Sequence, residues 1–229
     1  MNMLAESSVL TGPCEGRAVF TPGVAGMTGI FDPDVQILVW TRDMPDALSD
    51  YIECAASRMS ASSRMLIGAQ GQLPESALPV LPDQPDHEGR FLMQSDVRML
   101  VEAFSDLMDC PTVALRLEVL QRAMCPRFHT DRVGIRLLCA YRGEGTQWID
   151  DQGANRQKLG RGAQGAPDES SGLMPPGAQI HTVEKFHVAL LKGDLWQGNA
   201  GRGVIHRSPE ITPSTAPRVL LALDAVWPD

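Results

Sequence analysis

The spacing of apolar residues divides the chain into a helical region followed by a region of short strands. Apolar residues recur at helical spacing over residues 47–65 and again from Val97 to Met108, which predicts two amphipathic helices. A short β-prone run, residues 35–40, precedes the first helix, and the Pro- and Gly-rich residues 68–90 between the helices predict a loop. Ser95 is a candidate cap for the second helix. We expect the two helices to pack together on one side of a sheet.

Alternating apolar positions after residue 112 indicate strands. Val113, Leu115, Leu117 and Val119 occupy every second position, although the same residues could also form a helix. Further extended segments, separated by Gly- and Pro-rich turns, are predicted at residues 135–141, 146–149, 188–191, 204–206 and 218–226. Short strands with such turns favour a sandwich or barrel whose outer face is covered by the helices.

These patterns predict one α+β domain spanning residues 1–229. Residues 1–34 would form an irregular arm, residues 35–112 a mostly helical support, and residues 113–229 a β-barrel core. Residues 150–178 are rich in Gly, Pro and Ser and show no element of their own. We therefore expect them to form a long flexible loop, either a mobile flap or a disordered segment.

Composition and charge restrict the function. The formal net charge is −8, from 20 basic and 28 acidic residues, which argues against nucleic-acid binding by a basic surface. No apolar run is long enough to span a membrane, and residues 1–10 lack the pattern of a signal peptide. The five cysteines are scattered without a Cys-x-x-Cys pair, so we expect reduced thiols in a cytoplasmic protein and no zinc site built from cysteines.

The segment Cys-Pro-Arg-Phe-His-Thr-Asp, residues 125–131, carries the most informative chemistry. If Thr130 is extended, His129 and Asp131 point to the same face of a strand. They are then either a hydrogen-bonded structural pair or two ligands of a metal ion, and His206, after the apolar pair Val204-Ile205, is the candidate third ligand. Two His and one carboxylate leave positions of the metal open, as a mononuclear Fe(II) oxygenase requires. His-x-Asp alone is a frequent chance pattern.

Features downstream of His129 strengthen the metal hypothesis. Residues 142–148 form a glycine turn that leads into Trp148, and residues 193–196, Gly-Asp-Leu-Trp, precede His206. Arg218 follows His206 by 12 residues on the last predicted strand. A guanidinium inside a barrel can form a bidentate pair with a carboxylate, so the pattern indicates a site for an anionic co-substrate.

This order of motifs resembles that of the 2-oxoglutarate/Fe(II) dioxygenases, including the prolyl-hydroxylase-like members, over residues 125–225. A closer resemblance, over roughly residues 30–225, is to the uncharacterised bacterial family named domain of unknown function 1826. That resemblance rests on three motifs, residues 125–131, 136–148 and 193–209. The dioxygenase resemblance implies a double-stranded β-helix, a jelly-roll or cupin-like barrel, in the C-terminal half, with the N-terminal helices packed on its outside.

The resemblance also implies roles for individual residues. The ligands of Fe(II), with Zn or Mn as alternatives in purified protein, would be His129, Asp131 and His206. Arg218 would bind the distal carboxylate of 2-oxoglutarate, and the alternative co-substrate contacts are Arg207, Arg136 and Tyr141. The implied function is a hydroxylase-type oxygenase acting on a small-molecule or peptide substrate. The alternatives are a non-catalytic metal- or small-ligand-binding protein on the same barrel, perhaps serving metal homeostasis, and a protein in which the triad binds no metal.

Overall fold

The computed structural model describes residues 17–59, 62–68, 73, 78, 81–82 and 87–227. Its fold is mixed α+β, with two α-helices, α1 (Asp46–Ala55) and α2 (His87–Met108). The strands are β1 (Arg17–Thr21), β2 (Val35–Trp40), β3 (Ser63–Gly68), β4 (Thr112–Leu120), β5 (Ile135–Arg142), β6 (Gln147–Ile149), β7 (Ile180–Thr182), β8 (Val188–Lys192), β9 (His206–Arg207) and β10 (Arg218–Val226). Residues 1–16 of the predicted arm lie outside the described residues.

The strands form two sheets. The main sheet has seven strands in the order β1-β2-β8-β5-β10-β4-β3, and every neighbouring pair is antiparallel except β1 and β2. The second sheet has the order β7-β6-β9 and is extended by an isolated bridge between His129 and His206. After β4 the chain alternates between the two sheets, so residues distant in sequence meet in the space between them.

Alternation along β5 shows how the main sheet separates two environments. Ile135, Leu137, Cys139 and Tyr141 join the apolar core that also contains the buried stripe of α2. Leu138 and Ala140 belong to a second apolar cluster, which includes Trp148 and Val204 from the side of the second sheet. Because side chains alternate across a strand, one face of β5 contacts the helices and the other faces the second sheet.

The two helices pack together against one face of the main sheet, as the apolar spacing predicts. The first helix is shorter than predicted, because α1 ends at Ala55 and a 3₁₀-helix, Ala56–Arg58, follows it. The prediction of a helix up to Met65 is wrong, since Ser63–Gly68 is an edge strand paired with β4. In this strand every second residue, Ser63, Met65 and Ile67, is at least partly buried. The second helix begins at His87, so Ser95 lies inside it and not at its cap.

The division of the chain into a helical support and a C-terminal barrel is not confirmed. Three of the seven strands in the main sheet, β1, β2 and β3, come from residues 17–68. Among the described residues no ladder joins the two sheets, so they do not form a closed barrel. Residues 150–178 are not without elements, because two 3₁₀-helices, Arg156–Lys158 and Gly160–Ala163, lie within them. In the described part of the chain, no helix combines the length and apolarity that crossing a membrane requires.

Candidate metal centre

The structure brings His129, Asp131 and His206 together between the two sheets. One ligand atom from each residue lies within 4.8 Å of the others. The Nε2 atom of His206 is 3.3 Å from Oδ2 of Asp131, and Nε2 of His129 is 3.7 Å from Oδ1 of the same carboxylate. Two imidazole nitrogens therefore face one carboxylate, as expected for three ligands of a single ion.

Backbone pairing between the two histidines produces this convergence. The amide of His129 donates to the carbonyl of His206 and the amide of His206 donates to the carbonyl of His129, each at 3.0 Å. The two imidazole rings consequently lie side by side, with centroids 4.4 Å apart. The sequence predicts that His129 and Asp131 share a strand. Instead, only His129 is paired, and Asp131 belongs to the irregular chain that follows.

Hydrogen bonds to Nδ1 fix the orientation of both rings. His129 Nδ1 lies 2.9 Å from the carbonyl oxygen of Arg127, and His206 Nδ1 lies 2.9 Å from that of Val204. A carbonyl oxygen only accepts, so we assign the proton of each neutral ring to Nδ1. Each Nε2 then keeps its lone pair and directs it toward the site, which is the tautomer that a metal ligand needs.

The third ligand is held by a chain of charged residues. Arg136 Nη1 donates to Asp131 Oδ2 at 2.5 Å, while its Nε and Nη2 donate to the two oxygens of Asp224 at 2.7 and 3.0 Å. Burial alone would raise the pKa of Asp131, but without a metal ion a protonated His206 can donate to it through Nε2, and this contact, followed by the charges of Arg136 and His129, holds the pKa well below its usual range. Asp131 is therefore an anionic candidate ligand with a fixed orientation.

Burial is the largest cause that lowers the pKa of His129, and the neighbouring His206 lowers it further. The hydrogen bond to the Arg127 carbonyl opposes this shift without cancelling it. His129 is thus favoured in the neutral form that binds a metal ion. Two imidazoles and one carboxylate suit a borderline divalent ion and leave further coordination positions open, so the residues present fit a transition-metal ion.

Two of the three candidate ligands, His129 and His206, border a cleft between the sheets. Together with Arg136 they line a cavity of about 60 Å³ that opens to solvent. Its other walls come from β4, β5, β10 and the chain around β6 and β9, and its apolar members include Leu138, Leu220 and Ala222.

Arg218, the first residue of β10, is a buried guanidinium close to this cleft. It is 1% exposed, its Nε donates to the carbonyl of Glu144 at 2.7 Å, and its Nη2 lies 3.5 Å from Oγ1 of Thr146, which lines the cleft. Its Nη1 has no hydrogen-bond partner among the described residues. Burial lowers the pKa of Arg218 to about 10, and only Glu144 acts in the opposite direction. A buried cation with an unused donor is costly unless a bound anion supplies the partner.

Gly143 makes room for this arginine. It has a φ of +80°, which L side chains rarely adopt, and a Cβ atom at this position would lie 3.2 Å from Cγ of Arg218. The glycine turn that the sequence singles out therefore places the Glu144 carbonyl and the Thr146 hydroxyl against the Arg218 guanidinium.

The other three candidate co-substrate contacts have different surroundings. Arg136 is occupied by Asp131 and Asp224. Arg207 lines the cleft, but its guanidinium pairs with Asp168 and Glu169.

Tyr141 lies on the opposite face of β5, in the core beside the helices, and its hydroxyl donates to Asp96. The prediction that Tyr141 binds the co-substrate is therefore wrong, because strand alternation points its side chain away from the cleft.

Sequence reasoning missed the carboxylates that support the site. Asp194 accepts a hydrogen bond from Thr130 Oγ1 at 2.8 Å, and its amide donates to the carbonyl of Asp131 at 2.9 Å. Gly193 permits this approach, since a Cβ there would lie 2.2 Å from the Val133 carbonyl oxygen. The Gly193–Trp196 stretch was a usable signal, because a Gly-Asp pair directly after an apolar strand marks a close backbone contact.

Comparisons with known proteins gave only distant structural similarities. No curated protein matches the chain. A dioxygenase for auxin oxidation from rice shares 15% identity at a TM-score of 0.46, covering 94% of this chain and 84% of that one. A bsmA homolog from Methylobium petroleophilum shares 15% identity at 0.49, covering 90% and 93%. A prolyl-4-hydroxylase from Pseudomonas putida shares 10% identity at 0.42, covering 90% and 100%. Similarity at this level does not assign an activity.

One sequence family matches nearly the whole chain. Its model covers residues 22–224, which include the three histidine and aspartate ligands, both glycine motifs and Arg218. By this match the chain belongs to the family described as "Protein of unknown function (DUF1826)".

Proposed function

We propose that the chain is a mononuclear non-haem Fe(II)/2-oxoglutarate-dependent oxygenase of the hydroxylase type. The observation that carries the proposal is Arg218, a buried guanidinium that has one unused donor and no ion-pair partner among the described residues, next to the cleft beside the His129/Asp131/His206 triad. A metal site and an unpaired buried cation beside one cleft suit a co-substrate with a carboxylate at one end and metal-binding oxygens at the other.

The order of the strands supports this proposal. The chain passes from β4 to the His129 bridge, to β5, to β6 and β7, to β8, to β9 and finally to β10, alternating between the main and second sheets. We take these eight segments to be the two sheets of a double-stranded β-helix, a form of jelly roll. Its two histidine ligands would lie on adjacent paired segments of the second sheet and its co-substrate arginine on a strand of the main sheet.

The proposed chemistry needs little from the protein beyond binding and orientation. Fe(II) held by the triad would supply, with O₂ and 2-oxoglutarate, the two-electron hydroxylation of a C–H bond, releasing succinate and CO₂. Arg218 and Thr146 would bind the distal carboxylate and thereby hold the co-substrate at a fixed distance from the triad. Leu138, Leu220 and Ala222 would keep this part of the cleft dry, while Arg136 holds Asp131 in its ionised form.

The setting of the reaction is also part of the proposal. The described cysteines, Cys54, Cys110, Cys125 and Cys139, are free thiols, which suits the reducing cytoplasm. The substrate would be a small molecule or a peptide that enters the open side of the cleft. Zn²⁺ or Mn²⁺ could occupy the same ligands in purified protein, because affinity alone does not select Fe²⁺.

Anaerobic titration of 2-oxoglutarate into the Fe(II)-loaded protein tests the proposal. A visible charge-transfer band is expected to form, and His129→Ala should abolish it. At saturating Fe(II), Arg218→Met should raise the 2-oxoglutarate concentration for half-formation of the band by about 10-fold or more, the value of one hydrogen-bonded charge pair.

Arg207→Met serves as the matched control, since it also removes a cleft arginine but one that is already paired with carboxylates. It should leave the half-formation concentration within about twofold at saturating metal, because a paired cation offers little to a second anion. A larger effect of Arg207→Met than of Arg218→Met would show that Arg207, and not Arg218, binds the carboxylate. Bound metal without any band or 2-oxoglutarate turnover would instead favour a non-catalytic metal-binding protein.

A further inference from the structure

We infer that Asp168, in the segment between β6 and β7 (residues 150–178), is a positioning residue for the metal centre. It contacts the residues adjacent to both histidine ligands and touches no ligand itself. The inference rests on the metal site of the proposed function and not on the oxygenase chemistry.

Asp168 is a buried carboxylate with three donors around it. It is 4% exposed, and it accepts hydrogen bonds from Arg127 Nε at 2.6 Å, from the Phe128 amide at 2.9 Å and from Arg207 Nη1 at 3.3 Å. Arg127 and Phe128 immediately precede His129, and Arg207 immediately follows His206. A single side chain of the β6–β7 segment therefore ties together the two backbones that carry the imidazole ligands.

The contact with Arg127 acts on the orientation of the first ligand. The Arg127 carbonyl accepts the hydrogen bond from Nδ1 of His129, so its position sets the direction of the His129 ring. Asp168 restrains the same peptide twice, through the Arg127 side chain and through the amide of Phe128. Loss of these bonds would free this peptide to rotate and would release the His129 ring from its orientation.

Apolar packing from the same segment supports the same two backbones. Leu173 is buried with Phe128, Ile149 and Ile205, and Phe128 and Ile205 are the residues directly before His129 and His206. The Arg207 guanidinium also lies over the Phe128 ring, 4.4 Å from its centroid. Ser171 connects these two contacts, because its hydroxyl donates to the Asp168 carbonyl and accepts from the Leu173 amide. The β6–β7 segment thus supports the residues next to His129 and His206 through one charged residue, Asp168, and one apolar residue, Leu173.

Such an arrangement couples metal binding to the packing of the β6–β7 segment. If Asp168 favours the ligand geometry, then metal binding must favour the packed segment by the same factor, since linkage is reciprocal. Outer hydrogen-bond partners of metal ligands commonly change metal affinity by 10- to 100-fold. The same range is expected here.

Calorimetric titration with Co(II) alone provides the test. Asp168→Asn should weaken Co(II) binding by about 10- to 100-fold relative to the wild type. Glu169→Gln is the control, because Glu169 pairs with the same Arg207 but from an exposed position. It should change the dissociation constant by less than about threefold, as expected for an exposed pair. Arg127→Gln removes the Arg127 contacts with Asp168 and with the Ala166 carbonyl but keeps those of Phe128 and Arg207 with Asp168. It should give a smaller loss in the same direction and covers the case in which Asp168→Asn does not fold.

A second readout separates positioning from a general loss of fold. Co(II) should slow tryptic cleavage after Lys158 and Arg161 of the wild type, and this protection should be reduced in Asp168→Asn. Folded Asp168→Asn that binds Co(II) within about twofold of the wild type, or Glu169→Gln that loses as much affinity, would overturn the inference. A wild type that binds no Co(II) would overturn both the inference and the metal site, whereas normal Co(II) binding without oxygenase activity would leave the inference standing.

Discussion

Each face of the main sheet carries an arginine that is at least partly buried, but only Arg42 forms an ion pair with a carboxylate among the described residues. On the helix side, Arg42 forms a bidentate pair with Asp96, with distances of 2.6 and 2.9 Å, and its Nε donates to the Phe186 carbonyl at 2.8 Å. Its guanidinium also lies 3.8 Å from the centroid of the Phe186 ring. On the cleft side, Arg218 donates to the Glu144 carbonyl, and its Nη2 lies 3.5 Å from the Thr146 hydroxyl. Its Nη1 has no hydrogen-bond partner in the described part of the chain.

The pKa values of the two arginines express this difference. Burial would lower both, but Cys139, Asp96 and Tyr141 around Arg42 outweigh it and raise the pKa of Arg42 above its ordinary value. For Arg218 burial dominates, and the pKa falls to about 10. At neutral pH both side chains are charged. The charge of Arg42 therefore stabilises the fold, whereas the charge of Arg218 is held at a cost that a bound carboxylate would offset.

Removal of the paired arginine should have the largest effect. Arg42→Met leaves the partly buried Asp96 without its cation, and we expect it to lower the free energy of unfolding by about 3–5 kcal/mol. Urea unfolding followed by circular dichroism measures this loss. A loss of less than about 1 kcal/mol would show that the helix-side pair contributes little, and the contrast between the two faces would disappear.

Strand alternation explains how much of this contrast was readable in the sequence. The predicted last strand, residues 218–226, coincides with β10, and the alternation over residues 113–119 lies within β4. Both are long, regular patterns, and their inward positions follow from period 2. The segment Ser63–Gly68 was misassigned because six residues carry too little pattern to exclude a helix. Its strand conformation depends on pairing with β4, which lies about 50 residues later.

The candidate metal ligands were more predictable than the arginines around them. His129, Asp131 and His206 were identifiable from the order of the motifs around them, since His-x-Asp alone is a frequent chance pattern. The state of an arginine depends instead on what lies opposite it in space. Arg136 is neutralised by Asp224, 88 residues away. No local sequence pattern marks such a pair, so only the three-dimensional structure distinguishes Arg218 from the candidates that form ion pairs.

Glutarate lacks the 2-oxo group that would chelate a metal ion together with a carboxylate, so it tests the anion site of Arg218 alone. Glutarate, added to metal-free protein, should pair with Arg218 and stabilise the fold, by about 1.4 kcal/mol at ten times its dissociation constant. For a chain of this size the unfolding temperature would rise by roughly 3–6 °C. Arg218→Met should abolish the shift, and Arg207→Met should retain it. A shift of equal size in Arg218→Met would place the anion elsewhere on the protein.

The smallest expected effect is on the stability of the Arg218→Met variant itself. The substitution loses the hydrogen bonds to the Glu144 carbonyl and the Thr146 hydroxyl, but it also removes a buried charge that has no counter-ion. These contributions oppose each other, so the free energy of unfolding of metal-free protein should stay within about 1 kcal/mol of the wild type. Arg42→Met is the matched control, because the same substitution on the other face removes a cation that is fully paired. Equal losses for the two variants, measured in the same urea titration, would mean that Arg218 stabilises the fold as Arg42 does, and the case for a carboxylate site would fail.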